Sequence, residues 1–386
     1  MSENNEVKEP LNKNNKVPKL RFDKFKNDNF NCDILSQIAT LSKGNGLSKD
    51  DLSPDGNKCI LYGELYTRYL GYIDTIISKT KTILSNPKLS KSGDIIMPLS
   101  GETPTDISNS AVVPEDNVIL GGDLLVITPK KNIDPLFLSL YLSNCKKKEI
   151  AKKSCGISII HSHKEDIAKL TIYYPSLAEQ YYISTFLKKL TKKIDIVLKK
   201  IDVLKKYKEG LIKKLIKSSS KEMKLSQLIT VCEKTKLQSS YGKISGKYKF
   251  FINSSDEITK WSDDYIFDGE YLILNTGGTA FTNYVNNKFS AMSDCLVVKP
   301  NSEYSITIYY WLKAVEKCIN EVGFQGTGLK HLDINWLLRQ KVKIIEYDNK
   351  KLSNFNKELN SLIELNSLVL EKLKLIKNIF LNLMFI

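Results

Sequence analysis

The chain has no pair of cysteines spaced C-x-x-C. Its seven cysteines, Cys32, Cys59, Cys145, Cys155, Cys232, Cys295 and Cys318, are odd in number and scattered. Structural zinc sites draw on paired thiolates and disulfide frameworks on even sets, so neither is expected, and reduced thiols of a cytoplasmic protein fit best. No apolar run approaches the ~20 residues of a membrane span. IFLNLMFI (Ile379–Ile386) is far too short, and the polar opening MSENNEVKEPLNKNNK lacks the apolar stretch of a signal peptide. Residues 1–16 are expected to form a disordered tail.

Catalytic signatures are missing too. Without a Gly-x-x-x-x-Gly-Lys-Ser/Thr loop, driving motion with ATP is not a task for this chain. An amino-methyltransferase would need Asn/Asp-Pro-Pro-aromatic, and the nearest strings, NPKL (Asn86–Leu89) and DPLF (Asp134–Phe137), lack the second proline. A restriction-type nuclease needs carboxylates and a lysine around a metal. Pro54-Asp55 has no acidic-x-Lys partner suitably downstream. The expectation is a non-catalytic protein with no metal or cofactor of its own.

What is present is enough for two packed domains: 386 residues, 42% of them hydrophobic. Lys and Arg number 58 against 43 Asp and Glu, a net charge of +15. Such a balance suits nucleic acid or an anionic membrane, although a Lys- and Asn-rich proteome gives it without any partner. No basic amphipathic helix with exposed Trp or Phe supports the membrane.

An internal repeat organises the chain. GDIIMPLSG (Gly93–Gly101) matches GEYLILNTG (Gly269–Gly277) without gaps. DLLVITP (Asp123–Pro129) matches DCLVVKP (Asp294–Pro300). CGISIIHSHKEDIAKLTI (Cys155–Ile172) matches QGTGLKHLDINWLLRQKV (Gln325–Val342), setting Gly156 on Gly326 and His161 on His331. The offsets are 176, 171 and 170 residues. Short apolar runs bounded by Gly, Asp or Pro predict strands, and IDPLFLSLYLSNCKKKEIAKK and SITIYYWLKAVEKCI carry helical spacing.

Each copy ends in a long helical pattern. Ile183, Leu187, Leu190, Ile194, Val197, Ile201, Leu204, Lys208, Leu211 and Leu215 alternate steps of four and three. So do Leu352, Phe355, Leu359, Leu362, Asn366, Val369, Leu373, Ile376, Phe380 and Leu383. This is a coiled-coil seam. From Ile183 to Leu215 a helix spans roughly 50 Å, too long for one domain of ~150 residues to cover. The second seam is the natural partner, and connectivity makes the pair antiparallel, with Asn366 level with Ile201. The fold class is therefore α+β: two similar mixed α/β domains separated by two long helices in an antiparallel coiled coil, with pseudo-two-fold symmetry. The domains expected are 17–175 and 221–345, and the helices 176–220 and 346–386.

Two similar heads at fixed spacing suit two short half-sites on double-stranded DNA, about 15 base pairs apart for a 50 Å separation at ~3.4 Å per pair. Since the copies have diverged, the target is expected to be bipartite and asymmetric, with an unread spacer. The lysines from Lys188 to Lys217 face few carboxylates. They could follow the spacer phosphates, dock partner subunits, or form a solvated face.

These residues resemble the DNA-specificity subunit of type I restriction-modification enzymes. VPKLRF (Val17–Phe22), KGNGLSKDDL (Lys43–Leu52) and ILYGELYTRY (Ile60–Tyr69) are similar to the start and first target-recognition domain of that family. PSLAEQ (Pro175–Gln180) resembles the opening of its first central helix. FDGEYLILNTGGTAF (Phe267–Phe281), NKFSAMSDCLVV (Asn287–Val298) and GLKH (Gly328–His331) look like its second recognition domain. A second Pro-Ser-x-x-Glu-Gln block is replaced by IIEYDNKKL (Ile344–Leu352). The resemblance implies two methyltransferase subunits and motor-endonuclease subunits as partners, which would carry S-adenosylmethionine, ATP and Mg. A fused methyltransferase-nuclease as partner, or a coiled-coil scaffold that never touches DNA, remain as alternatives.

Bases are read by polar, aromatic and basic side chains in the major groove. In the first copy the candidates are Tyr62, Glu64, Tyr66, Thr67, Arg68, Tyr69, Ser100, Glu102, Thr103 and His161. In the second they are Asn275, Thr276, Thr279, Asn283, Tyr284, Lys288, Lys330 and His331. Gly156 and Gly326 are expected to permit turns, and Gly277 and Gly278 to let backbone approach DNA or to bend tightly.

Overall fold

The computed structural model describes residues 17–69, 71–154, 160–218, 220–254, 260–328, 330–344 and 349–386. The expected tail, Cys155 and Gly156 lie outside them. The chain divides into two compact units, Met1–Ile196 with Leu370–Ile386, and Val197–Val369.

The first unit is built on a five-stranded sheet in the order Ala39–Lys43, Leu124–Pro129, Ile95–Pro98, Ala111–Val112, Gly71–Tyr72. Its central strands are buried on both faces, which is why they read as unbroken apolar runs instead of alternating ones. Ile95, Met97, Leu125 and Ile127 face the helix Pro135–Asn144, whose Phe137, Leu138, Tyr141 and Leu142 are buried. Ile96, Leu124 and Val126 face a second layer containing Ile60, Leu65 and Ile73. The Asp134 carboxylate caps that helix by accepting from Phe137 N at 2.7 Å, and Pro135 fits its first turn.

The second unit repeats this plan. Its sheet runs Ile229–Val231, Cys295–Pro300, Glu270–Asn275, Thr282–Asn286, and the helix Ser305–Cys318 covers it. In both units a short strand at the start pairs antiparallel with one at the end: Asn31–Ile34 with Thr171–Tyr174, and Glu222–Lys224 with Lys341–Lys343. Two similar mixed α/β units with two long helices are thus what the sequence led us to expect.

The repeat needs one correction. Leu125 pairs with Met97 in the first unit, while Leu296, its counterpart, pairs with Leu274. The gapless match would put Met97 on Ile273. Facing agrees with the pairing: Leu272 and Leu274 join the helix-side core as Ile95 and Met97 do, whereas Ile273 lies on the other face. The true equivalence is one residue further along, which sets Ser100 on Gly277. Glycines framing both strands favoured the shorter match, but side chains alternate faces, so a slip of one residue exchanges them all.

The long helices are Leu177–Ser218 and Asn349–Met384. Within the first unit Phe186 meets Phe380 edge-on at 4.8 Å, and Leu381, Met384 and Phe385 enter the core beside Ile183 and Leu187. Within the second, Lys208 Nζ donates to Asn360 Oδ1, and Ile212 and Ile216 pack with Leu352. In each unit the two segments run antiparallel. Burial lowers the Lys208 pKa from its ordinary value, since the ammonium is partly removed from water.

The first seam faces inward largely as expected, ending on Ile212 and Ile216 in place of Leu211 and Leu215. The second is rotated. Leu362, Val369 and Ile376 are exposed, and the inward stripe follows Asn356, Leu359, Ile363, Asn366, Leu370, Leu373 and Lys377. Apolar residues stand side by side at 362/363 and 369/370, so spacing alone allowed two stripes. Tertiary anchors choose between them: buried Asn356 accepts from Tyr310 Oη at 2.8 Å.

Candidate nucleic-acid interface

In the first unit the candidates fall into two sets by burial. Glu64 and Tyr69 are 7% and 5% exposed. Glu64 accepts from Leu61 N at 2.9 Å and Ser78 Oγ at 2.7 Å, and Tyr69 Oη accepts from Ile77 N at 3.1 Å. Both brace the turn Glu64–Thr67 from inside, so they are withdrawn from the groove-facing candidates. Replacing Glu64 with alanine leaves a buried N–H and a hydroxyl without partners. A loss of ~1–3 kcal/mol is expected in denaturant unfolding.

The other side chains gather. Tyr62 and Tyr66 lie 6.5 Å apart, ring to ring. The Tyr66 phenol is raised above its ordinary pKa by burial first, then by Tyr62, Glu102 and Asp106, so this tyrosine stands within electrostatic reach of the loop after Gly101. Glu102 and Thr103 are exposed on that loop. Its bend is closed by Asp106 Oδ2, which accepts from Thr103 N at 2.8 Å. Ile160–His161 pairs with Ser100–Gly101, bringing exposed His161 alongside. Thr67 and Arg68 are exposed on the neighbouring turn; Thr67 Oγ1 donates to Gly63 O at 2.8 Å, and Arg68 Nη1 lies 3.5 Å from Glu64. Ser100 is buried behind this surface.

The second unit gathers fewer. Thr276, Thr279, Lys330 and His331 share one end of its sheet. Gly277 bridges to His331, and Leu332 N donates to Thr276 O at 2.9 Å. Gly278 has φ +78° with open space around it, and Gly326 has φ +134°, a backbone region that favours glycine at both turns. Asn275 is buried and Asn283 half-buried. Tyr284 points to the covering helix, donates to Glu270 and packs on Tyr309, so it is a core residue. Lys288 stands at the other end of the hairpin, 3.8 Å from Asp268 and 4.4 Å from the Tyr265 ring centroid. Asn275, Tyr284 and Lys288 therefore do not join the loop cluster that the sequence suggested.

Two residues escaped the sequence reading. Asn253 Oδ1 accepts from Thr276 N at 3.1 Å and Gly277 N at 3.4 Å, fixing the loop; it belongs to no repeated block, so nothing marked it. Asp123 holds Ser100 Oγ at 3.0 Å, and its place at the head of a repeated block could have signalled it. Among the described residues, no group of three or more His, Cys, Asp or Glu gathers as for a metal ion. Burial pushes the Cys59 thiol up to about 11 and those of Cys145 and Cys295 to about 12, as for packing residues.

The PSLAEQ motif has a physical role. Arg21 Nε donates to Glu179 Oε1 at 2.9 Å and Nη2 to Oε2 at 2.5 Å, with both side chains nearly inaccessible. Gln180 Oε1 accepts from Asp134 N, and its amide donates to Asn132 O and Pro175 O. The motif fastens the long helix to the first unit.

Comparison with known proteins agrees with this architecture. Residues 27–206 match the family model for the type I restriction modification DNA specificity domain. A chain named as the MjaX type I restriction enzyme specificity subunit of Methanocaldococcus jannaschii is 36% identical over 100 residues, 25% of this chain and 23% of that one. The type I restriction-modification S subunit from M. genitalium has a similar structure, with a TM-score of 0.69 at 17% identity over 96% of this chain and 99% of that one. A chain from a study of complex assembly and conformational transition of the type I R-M system gives 0.52 at 14% identity, over 92% and 96%. At such identities the structural likeness speaks for the fold alone. The match over residues 27–206 bears out the family resemblance drawn from the motifs. Among the described residues, no helix is long and apolar enough to cross a membrane.

Proposed function

We propose that this chain is the address-reading subunit of a cytoplasmic type I restriction-modification complex. Each unit reads its own half of a bipartite, asymmetric DNA target. The observation that carries this reading is the surface cluster of the first unit, where half-buried Tyr62 and Tyr66 and exposed Glu102, Thr103 and His161 converge on one strand-to-loop junction whose counterpart in the second unit presents Thr279, Lys330 and His331. Turns that carry exposed polar groups on a braced sheet are suited to base edges.

The chain does no chemistry itself. Two methyltransferase subunits and motor-endonuclease subunits bind it and hold S-adenosylmethionine, ATP and Mg. Docking is supported by the apolar residues that the second long helix leaves in solvent: Leu362, Leu365, Leu368 and Val369 in the second unit, and Leu375, Ile376 and Ile379 in the first.

Deleting the gene from cells that express the methyltransferase should abolish methylation at one bipartite motif, read by mapping modified bases across the genome. An unchanged methylome would overturn the reading.

A further inference from the structure

The hydroxyl of Ser100, 2% exposed, has two partners, Asp123 Oδ2 at 3.0 Å and His161 Nδ1 at 2.9 Å. A hydroxyl has one proton to give, and a carboxylate can only accept. The proton therefore goes to Asp123, and Ser100 Oγ is left to accept from His161. The imidazole is held with its hydrogen on Nδ1, and in the neutral ring Nε2 is then an acceptor. This nitrogen has no partner among the described residues, on a side chain exposed beside Glu102 and Thr103.

An acceptor has a narrow choice on DNA. Phosphate oxygens only accept, so they offer it nothing. In the major groove the donors are the exocyclic amino groups, N6 of adenine and N4 of cytosine; guanine O6 and thymine O4 repel it. We infer that His161 is a base-selecting residue: the Asp123–Ser100–His161 chain presents Nε2 to the amino group of an adenine or cytosine at one base pair of the first unit's half-site. This rests on the specificity-subunit reading and sharpens it.

The second unit has the same histidine without the relay. His331 faces Gly277, which stands where Ser100 does. A Cβ there would lie 3.9 Å from His331 Nδ1 but only 2.9 Å from Asn253 Nδ2, so the second unit sets the Asn253 amide at that place and has no serine hydroxyl to pair with the ring. With neither proton position imposed, His331 is not committed to donors in this way.

The test uses the full chain in its assembled methyltransferase complex and a set of duplexes carrying the target motif. In these, single adenines are replaced by purine, or single cytosines by pyrimidin-2-one, each lacking only the amino group. At one pair of one half-site, removing the amino group should weaken wild-type binding about tenfold. The H161A complex should bind the intact target about tenfold more weakly and lose nothing further from that replacement. S100A, which frees the ring to take either proton position, should retain the motif but reduce the preference at that pair to about threefold. Wild-type indifference to every amino-group removal, or an H161A complex with unchanged preference at all pairs, overturns the inference while the specificity-subunit reading stands. A wild-type complex with no sequence preference overturns both.

Discussion

Glu179→Ala should destabilise the first unit by about 3–5 kcal/mol, the largest effect expected of any single substitution here. The reason is what remains behind. Arg21 is almost inaccessible, with Nε and Nη2 committed to Glu179 and Nη1 to the carbonyls of Lys26 and Asp28. The hydrogen bond to Glu179 is the main cause holding the guanidinium pKa above its ordinary value. Without the carboxylate, a permanently charged and nearly inaccessible group is left with two carbonyls and the face of the Phe30 ring, 5.0 Å away. Glu179→Gln keeps oxygen and shape and should cost less, roughly 1–3 kcal/mol. Removing both partners as Arg21→Met with Glu179→Leu should return most of the loss, because a buried pair contributes little net stability over well-packed apolar side chains. Denaturant midpoints for the four proteins of this cycle check the prediction. A double variant no better than Glu179→Ala would show that the motif matters for something other than its internal charge.

That clamp shows how the sequence could be informative without showing why. VPKLRF and PSLAEQ were legible as motifs, but nothing in their spacing indicates that Arg21 reaches Glu179 across most of a domain. The long helices were equally plain in outline, whereas the rotation of the second was not. Leu362 and Ile363 are both apolar, and the choice between them is made by Asn356 bonding Tyr310 and by Phe385 packing 5.3 Å from Phe137. These are contacts between residues far apart in the chain, which periodicity does not register. The repeat located the strands correctly and missed their equivalence by one step, because the glycines at each end outweighed the alternation of faces.

The candidate site was legible as clusters and less so as members. Glu64, Tyr69, Ser100 and Tyr284 are polar or aromatic residues in loop-rich stretches, like the exposed ones, yet each turns inward to a named partner. Direction depends on the fold around each turn. Asp123 is the opposite case: a repeated aspartate at φ 57° whose importance appears only once Ser100 and His161 lie beside it.

The second large effect should come from exchanging residues 221–345 for those of a relative with a different target. This segment begins and ends at one place: Glu222–Lys224 pairs with Lys341–Lys343, and Ile344 N donates to Lys221 O at 2.8 Å. Its sheet carries its own cores, one around Leu272, Leu296 and Leu312 and another around Phe250, Ile273 and Phe289. A segment whose ends are hydrogen-bonded neighbours and whose interior is largely self-sufficient can be replaced without moving the chain outside it. The exchanged protein, expressed with active methyltransferase, should leave the original motif unmethylated and modify a new one that shares one half with it. Each mismatched base pair costs about 1–3 kcal/mol, roughly additively, so three altered pairs suffice to lose the old half by orders of magnitude in affinity. Methylome sequencing gives the outcome directly. If both halves change, base reading is not divided between the units; if neither changes, the segment from 221 to 345 reads no DNA and the address lies wholly in the first unit.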